Sequence, residues 1–180
     1  MSYPFTGGNI LNASELNEIG LFHVKTQTIS GTPSSVTITS AFSSTFDNYR
    51  IIGHALDTTG TGNDIEMELG NGGSHTTGYY GNITRFQYNV VGSSTSNFTN
   101  ASPMPIAYDN ATAGAVHLDV TLYRPNVSAP TSWSQKGGSI RGIDVNGYYS
   151  PGQSFTSVTF ECTVGTWTGG EFRVYGIVDG

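Results

Sequence analysis

The chain has 180 residues, a mass of 19.1 kDa and a formal net charge of −6. Charged residues make up only 11% of it, against about a quarter in an ordinary globular protein, whereas 20 serines, 23 threonines and 24 glycines are present. The acidic balance excludes the basic stripe of a nucleic-acid-binding protein. Regular apolar blocks containing 12% aromatic residues exclude a disordered chain. We therefore expect one folded domain whose surface is rich in hydroxyls and amides.

The number of cysteines and the length of the apolar runs bear on disulfides and on membrane segments. The single Cys162 excludes an internal disulfide, and its place in an alternating apolar run predicts a buried core residue. No run of 18 apolar residues occurs, so we expect neither a membrane span nor a signal peptide, and no membrane partner.

The first 20 residues differ in character from the rest and are predicted to be an attachment arm. Asn12 and Glu15 have the spacing of a capping box and Gly20 is a good helix stop, which predicts a short helix over 13–19. A helix of this length is marginal by itself, so it must dock, either on its own domain or on a neighbouring subunit or scaffold. The apolar and aromatic residues available for docking are Tyr3, Phe5, Ile10, Leu11, Leu16 and Ile19.

After Gly20 the hydrophobic period changes to two, the period of a half-buried β-strand. The clearest example is 116–122, where Val, Leu, Val and Leu alternate with polar residues. The segment 48–56 is apolar on both sides, which favours a central strand. Further strands are predicted around 22–26, 36–38, 65–69, 132–143, 155–164 and 171–178, and 79–91 is predicted to be a long strand or a hairpin.

Short strands without helical crossovers predict an all-β antiparallel sandwich with jelly-roll connections over 21–180. We expect long polar loops at 70–78 and 92–105, and a hairpin between the last two strands across 165–170.

No catalytic motif is present, so we expect no enzyme, no cofactor and no metal. Sequence signatures of zinc proteases, serine hydrolases and P-loop proteins are all missing. Asp64, Glu66 and Glu68 share one strand face; they could supply a carboxylate pair for glycoside hydrolysis, but a solvated acidic strand explains them better. The segment 57–64 has a superficial likeness to a cation loop and is better explained as a turn between strands.

Two Tyr-Tyr pairs and two tryptophans lie near predicted turns. These residues suit stacking on sugar rings, contact at a subunit interface, where Tyr and Trp are enriched, or packing at strand ends. The candidate contact residues are Tyr79, Tyr80, Trp133, Tyr148, Tyr149 and Trp167.

Several segments together resemble proteins of tailed-phage virions. Leu21–Leu56 contains an opening strand and then Thr28–Thr32, Val36–Ser40 and Ala41–Ile52, a pattern similar to small β domains of phage decoration proteins and tail fibres. The closing segment Gly169–Ile177 and the lead-in Gly8–Asn17 are also similar to segments of such proteins.

This resemblance implies a virion structural protein that is made in the host cytoplasm and assembles as a homo-oligomer, with a trimer favoured. Two placements follow from it. A capsid decoration (cement) protein would use residues 1–20 to bind the major capsid protein. A tail-fibre or receptor-binding subunit would use them to join a tail protein, with its Tyr-rich loops meeting host glycans. The short chain favours decoration.

Overall fold

Strands occur in every part of the domain that the structure describes. The computed structural model describes residues 20–71, 75–87, 92–101, 103–110, 116–138 and 141–178. The strands are β1 (Leu21–Thr28), β2 (Ser35–Ile38), β3 (Asn48–Thr58), β4 (Thr61–Gly70), β5 (Tyr79–Gln87), β6 (Ser93–Ala101), β7 (Met104–Asn110), β8 (Val116–Tyr123), β9 (Ala129–Gly138), β10 (Arg141–Gln153), β11 (Ser157–Cys162) and β12 (Trp167–Ile177). The expected all-β class is confirmed, and none of these residues belongs to a helix that could span a membrane.

The strands form two antiparallel sheets that pack together. The larger sheet has eight strands in the order β1-β12-β3-β8-β9-β10-β5-β6, and the smaller has four in the order β2-β11-β4-β7. Four pairings are nested along the chain: β1 with β12, β2 with β11, β3 with β8 and β4 with β7. The remaining strands β9, β10, β5 and β6 extend the larger sheet beyond β8.

One continuous hydrophobic core lies between the two sheets. β8 supplies Val116, Leu118, Val120 and Leu122, all buried as the alternation predicted. β4 supplies Ile65, Met67 and Leu69, which are also fully buried. Phe160 of the smaller sheet stacks on Phe172 of the larger one, with ring centroids 4.3 Å apart. Such stacking across the layers ties the two sheets together.

Four predictions about the strands were wrong or incomplete. The expected polar loop at 92–105 contains β6, and β7 was not anticipated. The single strand expected over 132–143 is two strands, because the chain reverses between Gly138 and Arg141. The expected hairpin at the carboxyl end is also absent: β11 pairs with β2 and β4 in the smaller sheet, whereas β12 pairs with β1 and β3 in the larger one.

Other strand predictions hold. The doubly apolar segment 48–56 lies in β3, between β12 and β8 in the larger sheet. The segment 57–64 includes the turn between β3 and β4. Cys162 is a buried cysteine at the end of β11, as predicted. The predicted helix at 13–19 lies outside the described residues.

Candidate binding surface

The larger sheet has one face on the core and one face turned away from the smaller sheet, which we name the outer face. Along β8, for example, the core residues alternate with His117, Asp119, Thr121 and Tyr123, which are exposed or half-buried. Antiparallel pairing aligns such residues into rows across the strands. The outer face is therefore an ordered array of side chains.

The two Tyr-Tyr pairs of the sequence meet each other in this sheet. The register places Tyr80 of β5 opposite Tyr148 of β10, and Tyr79 opposite Tyr149. Because successive side chains of a strand point to opposite faces, each Tyr-Tyr pair divides between the core and the outer face. Tyr80 and Tyr148 form the outer pair, in which the rings stack with centroids 5.3 Å apart and planes 11° apart.

The inner pair, Tyr79 and Tyr149, belongs to the core. Its rings meet edge to face at 5.1 Å, and the Tyr79 hydroxyl accepts a hydrogen bond of 2.8 Å from the backbone N–H of Leu69. Burial raises the pKa of Tyr79, so its hydroxyl stays protonated. The Tyr149 hydroxyl lies 3.2 Å from Nδ1 of His75, whose ring also packs edge to face on Phe155.

A pair of glycines next to the tyrosines lets a tryptophan lie against the sheet. Gly81 and Gly147 are opposite each other in the register, on the core side. A Cβ atom at Gly147 would lie 2.5 Å from the carbonyl oxygen of Tyr80 and 2.8 Å from Trp133. Only glycine leaves this space, and the indole of Trp133 packs there on the core side, where it is buried.

Burial divides the six predicted contact residues into two groups. Tyr79, Trp133, Tyr149 and Trp167 are at most 2% exposed and have no surface to offer a sugar or a neighbouring subunit. Tyr80 is half-buried and Tyr148 is 46% exposed, so these two remain available for contact. The six arm residues, Tyr3, Phe5, Ile10, Leu11, Leu16 and Ile19, lie outside the described residues.

Tyr123 is among the exposed aromatics of this surface that sequence reasoning missed. It lies at the end of β8, is 44% exposed, and belongs to the same row as the outer tyrosine pair. The signal was present, because Tyr123 continues the outward phase of the alternation in β8.

An ion pair and a shallow depression occupy the middle of the outer face. Nε and Nη2 of Arg50 donate hydrogen bonds of 2.7 and 2.5 Å to the two carboxylate oxygens of Asp119. This contact raises the pKa of Arg50. The depression beside it has a volume of about 310 Å³ and is lined by Leu21, Arg50, Asp119, Thr121, Ser134, Lys136 and Ile177.

The histidines and acidic residues form no metal site within the described part of the chain. His54 and His117 approach each other on the outer face with ring centroids 6.0 Å apart. No cluster of three or more His, Cys, Asp or Glu residues suited to a metal ion occurs among the residues that the structure describes.

The acidic strand β4 is less solvated than the sequence predicted. Glu68 is buried, and Glu66 and Asp64 are half-buried. Glu66 lies opposite Glu161 in the register, and its pKa is raised by burial first and then by the charges of Glu161 and Asp64.

We compared the chain with protein-family models, curated proteins and solved structures, and none of them matches it.

Proposed function

We propose that the chain is a non-enzymatic structural protein of a tailed-phage virion. In this proposal it is a capsid decoration (cement) protein, made in the host cytoplasm, that binds the major capsid protein through residues 1–20. The β domain then stabilises the shell through contacts within a homo-oligomer, with a trimer favoured. The resemblance of the sequence to phage decoration proteins and tail fibres is the starting point.

The observation that carries the proposal is the nested strand pairing. When β5, β6, β9 and β10 are set aside, the sheets read β1-β12-β3-β8 and β2-β11-β4-β7. A jelly roll is a long hairpin folded over itself, so its first strand pairs with its eighth, its second with its seventh, and so on inwards. The four nested pairs of this chain follow that rule and support a jelly roll with two insertions, an architecture of viral capsid and lectin domains.

Fold alone does not assign a function, so the character of the surface matters as well. The outer face of the larger sheet is broad, and it presents hydroxyls, amides and a few aromatics together with charged residues such as Arg50, Asp119, Lys136 and Asp144. Such a face suits contact with other proteins, whose interfaces combine polar and aromatic groups.

Deleting residues 1–20 tests the role of the arm. We expect the truncated chain to keep the β-sheet circular dichroism and unfolding transition of the full chain while losing its binding to purified phage heads. The full chain is the control, and sedimentation gives the oligomeric state of both. Normal binding of the truncated chain to heads would contradict the proposal.

A second candidate function is that of a tail-fibre or receptor-binding subunit, or a carbohydrate-binding module. The observation in its favour is the stacked pair Tyr80 and Tyr148 on the outer face, because exposed tyrosine rings suit the apolar face of a sugar. Binding of the chain to an array of host glycans would support it over decoration.

A further inference from the structure

We propose that the outer face carries a slot for one ring of a neutral saccharide, with Tyr123 and Tyr148 as walls and Ser132 as floor. This inference rests on the second candidate function, carbohydrate binding, and names its site and its class of ligand.

The walls follow from the register of three neighbouring strands. Tyr123 of β8 lies opposite Ser132 of β9, and Ser132 lies opposite Tyr148 of β10. One face of the Tyr148 ring is covered by Tyr80, its stacking partner on β5. The other face of Tyr148 is therefore turned towards β9, where the small Ser132 leaves the space above it open.

The spacing of the strands gives the slot its width. Tyr123 and Tyr148 are two strand spacings apart, which is about 9.5 Å. A ring between two aromatic planes needs a contact of about 4 Å on each side. One saccharide ring therefore fits in the space between the two tyrosines.

On β8, β9, β10 and β5, the polar side chains of the row next to the slot are uncharged. The next row across the same strands contains Thr121, Ser134, Asn146 and Asn82. Hydroxyls and carboxamides both donate and accept hydrogen bonds, as the hydroxyl edge of a sugar requires. A neutral ligand loses no ionic hydration when it enters such a site.

Arg50 of β3 lies opposite Thr121 at the end of this row, and further charged residues lie one row farther on. Lys136 is flanked in the register by Asp144 and Asp119, and Asp119 is paired with Arg50. Arg50, Lys136, Asp119 and Asp144 together carry two positive and two negative charges, so they give no preference for a charged ligand.

The depression described above shares Thr121 and Ser134 with the row beside the slot. Its volume of about 310 Å³ lies at the lower end of the usual range for small-molecule sites, about 300–1,000 Å³. A second sugar unit can extend into it, so the surface favours an oligosaccharide over a single sugar.

A glycan array tests the proposal with variants that change the slot alone. The full chain is applied to an array of neutral and acidic oligosaccharides, and its strongest neutral ligand is titrated calorimetrically. We expect Tyr148→Ala to weaken that binding by about ten-fold or more, because it removes a stacking wall. Ser132→Trp should abolish binding by filling the slot, and Tyr123→Ala should weaken it as Tyr148→Ala does.

Phe86→Ala is the matched control. Phe86 is an aromatic on the same outer face, 50% exposed, at the other end of β5 from Tyr80. Its loss should leave saccharide binding unchanged, and thermal unfolding of every variant shows whether the domain is intact.

The possible outcomes separate the slot from the function on which it rests. Binding that survives Ser132→Trp would overturn the slot and leave carbohydrate binding standing. No binding of the unaltered chain to the array would overturn both, and binding to acidic glycans alone would overturn the neutral ligand. A change of oligomeric state in Ser132→Trp, seen by sedimentation, would overturn the proposal by making the surface a subunit interface.

Discussion

The inner and outer tyrosine pairs of the larger sheet have the same composition and different roles. Tyr79 and Tyr149 meet edge to face in the core, whereas Tyr80 and Tyr148 stack flat on the outer face. The inner pair also contacts the smaller sheet, because the Tyr79 hydroxyl accepts a hydrogen bond from the backbone N–H of Leu69. One repeated dipeptide thus gives a structural contact on one side of the sheet and an accessible surface on the other.

The largest difference is expected when one ring is removed from each tyrosine pair. Tyr79→Ala should lower the free energy of unfolding by about 4 kcal/mol, because it opens a cavity in the core. It also leaves the Leu69 N–H without its acceptor. Tyr80→Ala should cost less than about 1 kcal/mol, since the side chain is partly solvated. Urea unfolding of the two variants measures the difference.

Equal losses in these two variants would contradict the assigned register. If the register of β5 against β10 shifted by one residue, Tyr79 and Tyr80 would exchange faces, because every side chain of the shifted strand moves to the opposite face. Tyr149→Ala and Tyr148→Ala test the same point from the partner strand.

The second test concerns Gly81 and Gly147, the glycine pair next to the outer tyrosine pair. Gly147→Ala should destabilise the domain by about 2 kcal/mol, because the added methyl group meets backbone and the Trp133 ring. Gly142→Ala on the same strand is the control: its nearest neighbour would be 3.7 Å away, so a change within about 0.5 kcal/mol is expected. Thermal or urea unfolding measures both, and a harmless Gly147→Ala would mean that β10 and β5 do not approach as described.

The smallest effect is expected in the acidic strand β4 of the smaller sheet, where carboxylates lie opposite each other, unlike the mixed side chains of the outer face. Glu66→Gln should raise the free energy of unfolding at pH 7 by about 0.5 kcal/mol, because it removes a cross-strand repulsion from Glu161. The pKa of Glu66 is raised in the folded state from an ordinary value of 4.5. Protonated Glu66 therefore stabilises the folded state fully below about pH 4.5, and this stabilisation is lost as the pH rises through the raised pKa.

Urea unfolding between pH 4 and 7 measures this dependence, which should be shallower in Glu66→Gln than in the unaltered chain. Glu161→Gln removes the same repulsion from the opposite strand and should give a similar gain. A loss of stability at pH 7 in either variant would show that the carboxylates are held by favourable contacts instead.

Strands with a clear apolar alternation could be predicted, and those without it could not. β8 and β4 were found because every second residue is apolar and buried. β6 was missed because its serines, threonines and asparagines lie on an edge strand and are largely exposed, leaving no alternation to detect. β7 contains Pro105, which argues against a central strand but is tolerated here, at the edge of the smaller sheet.

The candidate surface was half predictable. The tyrosine pairs were recognised from the sequence, and the alternation within a strand already implies that only one member of each pair faces outwards. Trp133 and Trp167 were expected as candidate contact residues near turns, and both are buried, Trp133 within β9 and Trp167 at the first position of β12. The space that buries Trp133 comes from glycines on a different strand, so neighbouring residues in the chain gave no sign of it.

The short antiparallel strands, and the buried side of most of them, follow from the sequence alone, because alternation is a property of the local backbone. Which strands pair, which sheet each one joins, and the shared row of Tyr80, Tyr148, Ser132 and Tyr123 are known only from the three-dimensional structure. Pairing depends on segments far apart in the chain, and their registry is set by how the two sheets close around a common core.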